Sequence, residues 1–213
     1  MHKKENMSFL EQAWEEREAT VYPDLFGETE IGIYPLNHEI FSKNFNQNEI
    51  DPTWLHYGVM KYPPQEKHKS WVYITSGMSN PWEAASEEEW SGLGMEFLLE
   101  APDDSDTNIL ILLNLLAYNI LLSCGIYGET PILDLGDRVP VKIEPNLTHL
   151  ILSKPLKFPE QVKLVSGPFD ILQVVGVTQS EWEFAKENSS EETVRKIANS
   201  HDFIINPNRE SVV

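Results

Sequence analysis

Apolar and polar positions alternate along this chain in short runs of both helical and strand period. Behind a capping-box pair, Ser8 and Glu11, the residues Leu10, Ala13, Trp14 and Val21 recur at roughly helical spacing. They predict a first helix from about Ser8 to Tyr22, closed by Pro23. Ile31 to Leu36 reads as a short strand, and the aromatic and β-branched stretch Trp54 to Tyr62 reads as another before Pro63-Pro64. From Trp71 to Ser76 both faces carry large or branched side chains, the pattern of a central sheet strand. Gly77 ends it. The segment SNPWEAASEEEWSG, residues 79–92, is then expected as a long loop with one helical turn capped by Ser86 against Glu89.

Gly94 to Leu99 returns to the sheet, and Gly92 with Gly94 predicts a bulge or a close backbone approach at its entry. Asp106 is placed to cap a helix whose body is the apolar run from Ile109 and whose end is marked by Gly125. Further strands are expected at Val139 to Ile143, His149 to Leu152, Val162 to Val165 and Asp170 to Val177. Ser180 with Glu183 caps a helix carrying Trp182, Phe184 and Ala185, and Ser189 with Glu192 caps another with Val194, Ile197 and Ala198 on one stripe. A strand at Phe203 to Ile205 closes the chain. This order lacks regular β-α-β alternation, so it predicts an α+β fold: a mixed, mainly antiparallel sheet with packed helices. The 14 prolines and 11 glycines are scattered rather than pooled, so a single domain over residues 1–213 is expected.

Charge narrows the partners. With 34 acids against 16 bases the formal net charge is −18, which repels nucleic acid and anionic membrane surfaces. The excess is also local, since no Lys or Arg occurs between Lys69 and Arg138. That stretch is either a solvated face or a docking surface for a basic partner. The lone Cys124 excludes an internal disulfide, fits a reducing, cytoplasmic setting, and in its apolar run reads as an inert small hydrophobe. Residues 1–10 begin with basic residues but carry no apolar core of signal-peptide length. The run Ile109 to Cys124, about sixteen residues and broken by Asn114 and Asn119, is short for a bilayer span.

Catalytic patterns are not found. His38-Glu39 is followed by Ser42 where a zinc protease helix presents its second His, and the six histidines have no metal-ligand spacing. Asp104 to Asn108 imitates the start of a calcium loop, but Ile109 stands at the turn glycine and Leu115 at the bidentate glutamate. Gly92-Leu93-Gly94 is followed by Phe97 where a dinucleotide fingerprint needs a third glycine, and no serine sits in a nucleophile elbow. Acid pairs such as Glu87 and Glu89 lie on a charged loop, where solvation is the ordinary state. No catalytic residue, cofactor or metal is therefore expected. Trp82 and Trp90 stand out, because a large ring among acids either folds under its loop or meets a partner.

Four segments in order, WVYITSGMSN, GLGMEFLLE, LLNLLAYNILLS and GPFDILQVVGVTQSEWEFA, resemble the suppressor of fused domain over about residues 51–196. The resemblance implies a protein-binding fold without known catalysis. Animal members hold a short peptide of a transcription factor in a cleft between this domain and a second, C-terminal one, and the present chain is too short for both. Stand-alone bacterial relatives imply an immunity role, blocking a toxin by direct binding. By the same resemblance Tyr73 matches a strand tyrosine lining the peptide cleft and Asp137 the aspartate of a Gly-Asp pair; as residues, they also read as sheet core and turn former. Together with the acidic, aromatic loop, the candidate partner-binding residues are Tyr73, Trp82, Glu83, Glu87, Glu88, Glu89, Trp90 and Asp137. A scaffold that accepts strands at its sheet edges and an unrecognised carboxylate-dependent enzyme are the alternative readings. The oligomeric state stays open.

Overall fold

A computed structural model describes residues 7–213, so the basic start of the chain lies outside the described residues. Eight strands form one sheet: β1 (Tyr34–Pro35), β2 (Gly58–Tyr62), β3 (Trp71–Ser76), β4 (Met95–Ala101), β5 (Arg138–Ile143), β6 (Leu147–Ser153), β7 (Gln161–Leu164) and β8 (Gly167–Thr178). Their order is β1-β2-β3-β4-β8-β6-β5, with β7 also paired to β8. The strand pairs are antiparallel except β4 with β8, which run parallel in the middle of the sheet. The α+β expectation, a mixed and mainly antiparallel sheet with packed helices, therefore holds.

Strand periodicity explains the layers. Along β8, Leu172 and Val174 turn to one face and Phe169, Ile171, Val175 and Val177 to the other. The first face packs on α4 (Asp106–Ser123) and α3 (His38–Phe45). The second packs on α2 (Tyr22–Phe26) at one end and on α5 (Gln179–Glu187) and α6 (Ser190–Ser200) at the other. Strand β3 is central and buried on both faces, as its double apolar pattern predicts.

Several local expectations need correction. The first helix does not stop at Pro23: α1 (Phe9–Glu16) widens into a π turn over Arg17–Val21 and continues as α2 to Gly27. In the π turn the Tyr22 amide donates to the Arg17 carbonyl, five residues back, so the helix passes Pro23 although that residue has no amide hydrogen to give. The strand expected from Ile31 shrinks to Tyr34–Pro35, and the stretch from Trp54 begins as a 3-10 turn, Pro52–His56, before β2. Helix α3 was not anticipated from the sequence; Asn37 caps its start and Asn46 ends it in the left-handed conformation. Ser105, rather than Asp106, caps α4, and Thr178 with Glu181, rather than Ser180 with Glu183, forms the capping box of α5. Phe203 to Ile205 makes a single parallel bridge to Glu100 instead of a strand. Cys124 is exposed at the end of α4 and is not a core residue.

The C-terminal segment is tied down by a buried ion pair. Arg209 donates from Nη1 and Nη2 to the two oxygens of Glu181, both at 2.6 Å, and from Nη2 to the Gly176 carbonyl at 2.6 Å. Burial pushes the Glu181 carboxyl up, but the Arg209 hydrogen bonds and the amides of Thr178 and Val212 outweigh it and hold the group below the usual carboxylate range. A depressed folded-state pKa contributes stability that is present above the unfolded-state pKa and lost as pH falls through the folded value. Glu181→Gln is expected to destabilise the domain at pH 7 by about 3 kcal/mol, leaving Arg209 buried without its counter-charge. In urea denaturation across pH, the gap between variant and wild type should close as the solution is acidified below the unfolded carboxylate range.

Candidate functional site

Two surface features stand on this frame, and the first is the acidic loop of residues 79–92. Its ends are clamped. Arg17, without exposed surface, donates from Nη1 to Ser79 Oγ (2.9 Å) and Asn80 Oδ1 (2.7 Å) and from Nη2 to Ser76 Oγ (2.8 Å). Glu96 on β4, equally buried, accepts from the amides of Gly77 (3.0 Å) and Ser79 (2.9 Å) and from the hydroxyls of Ser79 (2.7 Å) and Thr75 (2.6 Å). The guanidinium and carboxylate lie 4.0 Å apart. At the far end Ser91 donates its hydroxyl to the Ser79 carbonyl (2.6 Å) and its amide to the Pro168 carbonyl (2.8 Å). Gly92 follows at φ +58°, where an added Cβ would sit 2.4 Å from the Met78 carbonyl oxygen. The close backbone approach expected at this glycine pair is thus observed.

The second feature is a groove of about 720 Å³ beside the free edge of the sheet. Helix α4 covers β2, β3 and β4; beside it Leu150 and Leu152 of β6 are buried, while Val139 and Val141 of β5 stay partly exposed. Val139, Val141 and Leu150 form the sheet side of the groove. Leu110, Asn114 and Tyr118, spaced one turn apart, are the positions at which α4 meets solvent along the other side, and Leu110 is 51% exposed. Phe45 of α3 stacks on Tyr118, with ring centroids 6.2 Å apart and planes 12° apart. Among the described residues strand β5 is paired only to β6, which leaves its outer backbone edge without a strand partner, and Pro140 there has no amide to offer.

The family model described as suppressor of fused protein (SUFU) matches residues 53–210. The chain belongs to the suppressor of fused family. No curated protein sequence matches. Among solved structures, the chain is similar to a putative SUFU homolog from Neisseria gonorrhoeae at 21% identity, covering 74% of this chain and 78% of that one, with a TM-score of 0.54. It is similar at 18% identity to a chain of the Sufu–Fu complex, covering 84% of this chain and 93% of that one, with a TM-score of 0.54. Drosophila Suppressor of Fused matches at 19% identity over 73% of this chain and 42% of that one, with a TM-score of 0.52. At these identities the likeness establishes the suppressor of fused fold. The family match also reaches further toward the C-terminus than the sequence resemblance, to include Arg209 and its pair with Glu181.

Within this suppressor of fused domain, the residues singled out from sequence fall in three places. Trp82, Glu83, Glu87, Glu88, Glu89 and Trp90 share the clamped loop. Trp82 is half-buried, donating from Nε1 to the Tyr57 hydroxyl at 2.8 Å, while Trp90 is 40% exposed and lies against Gly94. Burial pushes the Tyr57 hydroxyl up to about 12 even though the Trp82 bond acts the other way, so it stays neutral. Glu87 pairs with Lys163 at 2.7 Å. The helical turn expected at Ser86 is not formed, because the Glu88 amide goes to the Ser166 carbonyl and the Ser91 amide to that of Pro168. Asp137 lies in the groove, where its Oδ2 accepts from the Asp134 amide at 2.8 Å in a turn. Tyr73 is the correction: with no exposed surface it offers nothing for a partner to touch, and its hydroxyl instead donates to Asp104 Oδ1 (3.1 Å) and accepts from the Ser105 amide (3.2 Å).

Sequence reasoning did not find Phe45, Leu110 or Tyr118 as site residues, although an exposed leucine inside an otherwise buried helix is the signal that marks this stripe. It did not find Arg17 either, whose helical neighbours give no hint of full burial. Arg17→Met is expected to cost about 3 kcal/mol in urea denaturation, since Glu96 would keep its hydrogen bonds but lose its buried counter-charge. Hydrogen exchange should rise selectively at the Gly77, Ser79 and Ser91 amides, ahead of the core strands.

Proposed function

We propose that this chain is a non-catalytic, cytoplasmic protein-binding domain that neutralises a partner by direct binding, and that the partner is a basic toxin domain. The observation that carries the reading is the groove between α4 and β5. It joins an apolar floor and wall to a strand edge that has no strand partner among the described residues, the combination that receives an extended peptide segment as an added strand. In this reading a segment of the partner lies along β5 and lowers alternate side chains toward Val141, Leu110 and Tyr118. The solved relative described as the Sufu–Fu complex supports a protein as the occupant.

Electrostatics favour a basic partner. A net charge of −18, with four glutamates held on one clamped loop, steers a cationic protein toward the domain and repels nucleic acid. Binding is also favoured over turnover by how the interior carboxylates are used. Glu96, Glu100 and Glu181 are all buried, and each accepts hydrogen bonds within the core: Glu100 takes those of Ser70 (2.5 Å) and Gln173 (2.9 Å). They are committed to holding strands and loops rather than facing a substrate. The acids of the loop lie exposed to solvent, and Glu87 is paired with Lys163.

The direct test is to co-express the domain with the protein encoded beside it, measuring growth rescue and affinity together. Wild type should bind tightly and restore growth. Leu110→Asp should weaken binding by about tenfold to a hundredfold, as expected for a central apolar anchor, while leaving the melting temperature unchanged. The association rate should fall steeply with added salt. A variant that binds as well as wild type would rule out the groove as the contact.

A further inference from the structure

A second cavity, of about 430 Å³, opens beside Trp82, and its walls carry charge of one sign. Resting on the protein-binding reading above, we infer that this cavity is a socket for an arginine side chain of the partner protein. Its lining combines Trp82, Tyr57, the carboxylate-bearing residues Glu83 and Glu88, and Asn80.

Each part has a role in taking a guanidinium. The indole is held in place: Nε1 is bonded to Tyr57, and the ring lies 5.9 Å from both the Tyr57 and His56 rings. A fixed aromatic wall is what a planar cation stacks on. Glu87, next in the loop, is engaged by Lys163, but among the described residues Glu83 and Glu88 form no ion pair. Two carboxylates without counter-charges at one cavity match the two faces of a forked donor better than a single ammonium point charge. Asn80, 1% exposed, is held in place at the cavity by the bond that its Oδ1 accepts from Arg17. The socket is also preformed, because Asn80 and Gly92 belong to the clamped ends of the loop and the Glu88 amide is fixed on Ser166.

The test uses the full chain and small probes, read at the Trp82 indole N–H resonance. N-acetyl-arginine N-methylamide should give a saturable shift, and N-acetyl-norleucine N-methylamide, with the same carbonyls and no charge, should bind at least about tenfold more weakly. The double variant Glu83→Gln, Glu88→Gln, at two exposed positions that leave folding intact, should lose about tenfold in affinity for the arginine probe. No saturable shift, an equal response to norleucine, or an unchanged double variant would each overturn the socket. Any of these leaves the groove untouched as the binding site. Conversely, a socket that takes the probe in a domain that binds no neighbouring gene product would defeat the groove reading alone.

Discussion

Arg17 and Glu96 are charged groups shut away from water, and the surrounding turn and helix supply partners for the Glu96 carboxylate and both Arg17 Nη atoms, though none among the described residues for the Arg17 Nε. A buried guanidinium or carboxylate costs several kcal/mol in lost hydration unless hydrogen bonds and an opposite charge replace it. Here the replacements come from the amides of Gly77 and Ser79, the hydroxyls of Thr75, Ser76 and Ser79, the side-chain oxygen of Asn80 and the Glu18 carboxylate, 3.2 Å from Arg17. That requirement fastens the N-terminal helices to the end of β3 and the start of β4. It also means the loop leaving Asn80 starts from a position that cannot drift without stranding a charge. The π turn beginning at Arg17 belongs to the same arrangement, since it carries the helix past Pro23 into the sheet.

A different constraint shapes the opposite face. One long helix, α4, is apolar nearly all round and buries itself across β2 to β4, but the sheet is wider than one helix can cover. The residue of that mismatch is the groove over β6 and β5. Its floor of valine and leucine is the natural continuation of the core face. Along the stripe of Leu110, Asn114 and Tyr118, α3 already meets Asn114 through Asn44 and Tyr118 through Phe45, and Leu110 is left exposed. An apolar strip beside an open strand edge is a liability in an isolated domain. It is economical only where something else covers it, which is the physical case for reading this face as a binding site.

The acidic residues divide into two populations with different physics. Those inside are few and fully bonded, and they act as fasteners: Glu96 on the loop, Glu100 on Gln173 and Ser70, Glu181 on Arg209. Those outside face water and set the long-range field, which falls off over about a Debye length and so acts on approach rather than on fit. In the proposed reading, contact falls to Trp82, Tyr57, the socket carboxylates Glu83 and Glu88, and the groove.

Local patterns were sufficient for much of the fold. The double-sided apolar run of β3, the long spine of α4, the glycine pair before β4, and the caps at Ser8 and Ser189 are all encoded within a few neighbouring residues, because period and capping depend on contacts three or four positions apart. The ordered segments that carry the suppressor of fused pattern are legible for the same reason. Burial and convergence were not. Tyr73 looks equally like a cleft residue or a core residue until β4 and α4 are laid against it. Cys124 looks buried until α4 is seen to end there. The groove gathers Phe45, Tyr118 and Val141 from three elements far apart in the chain. No local signal specifies such a meeting, because it follows from strand order, and the parallel pairing of β4 with β8 joins residues some seventy-five positions apart through a core that forms only when the whole sheet does.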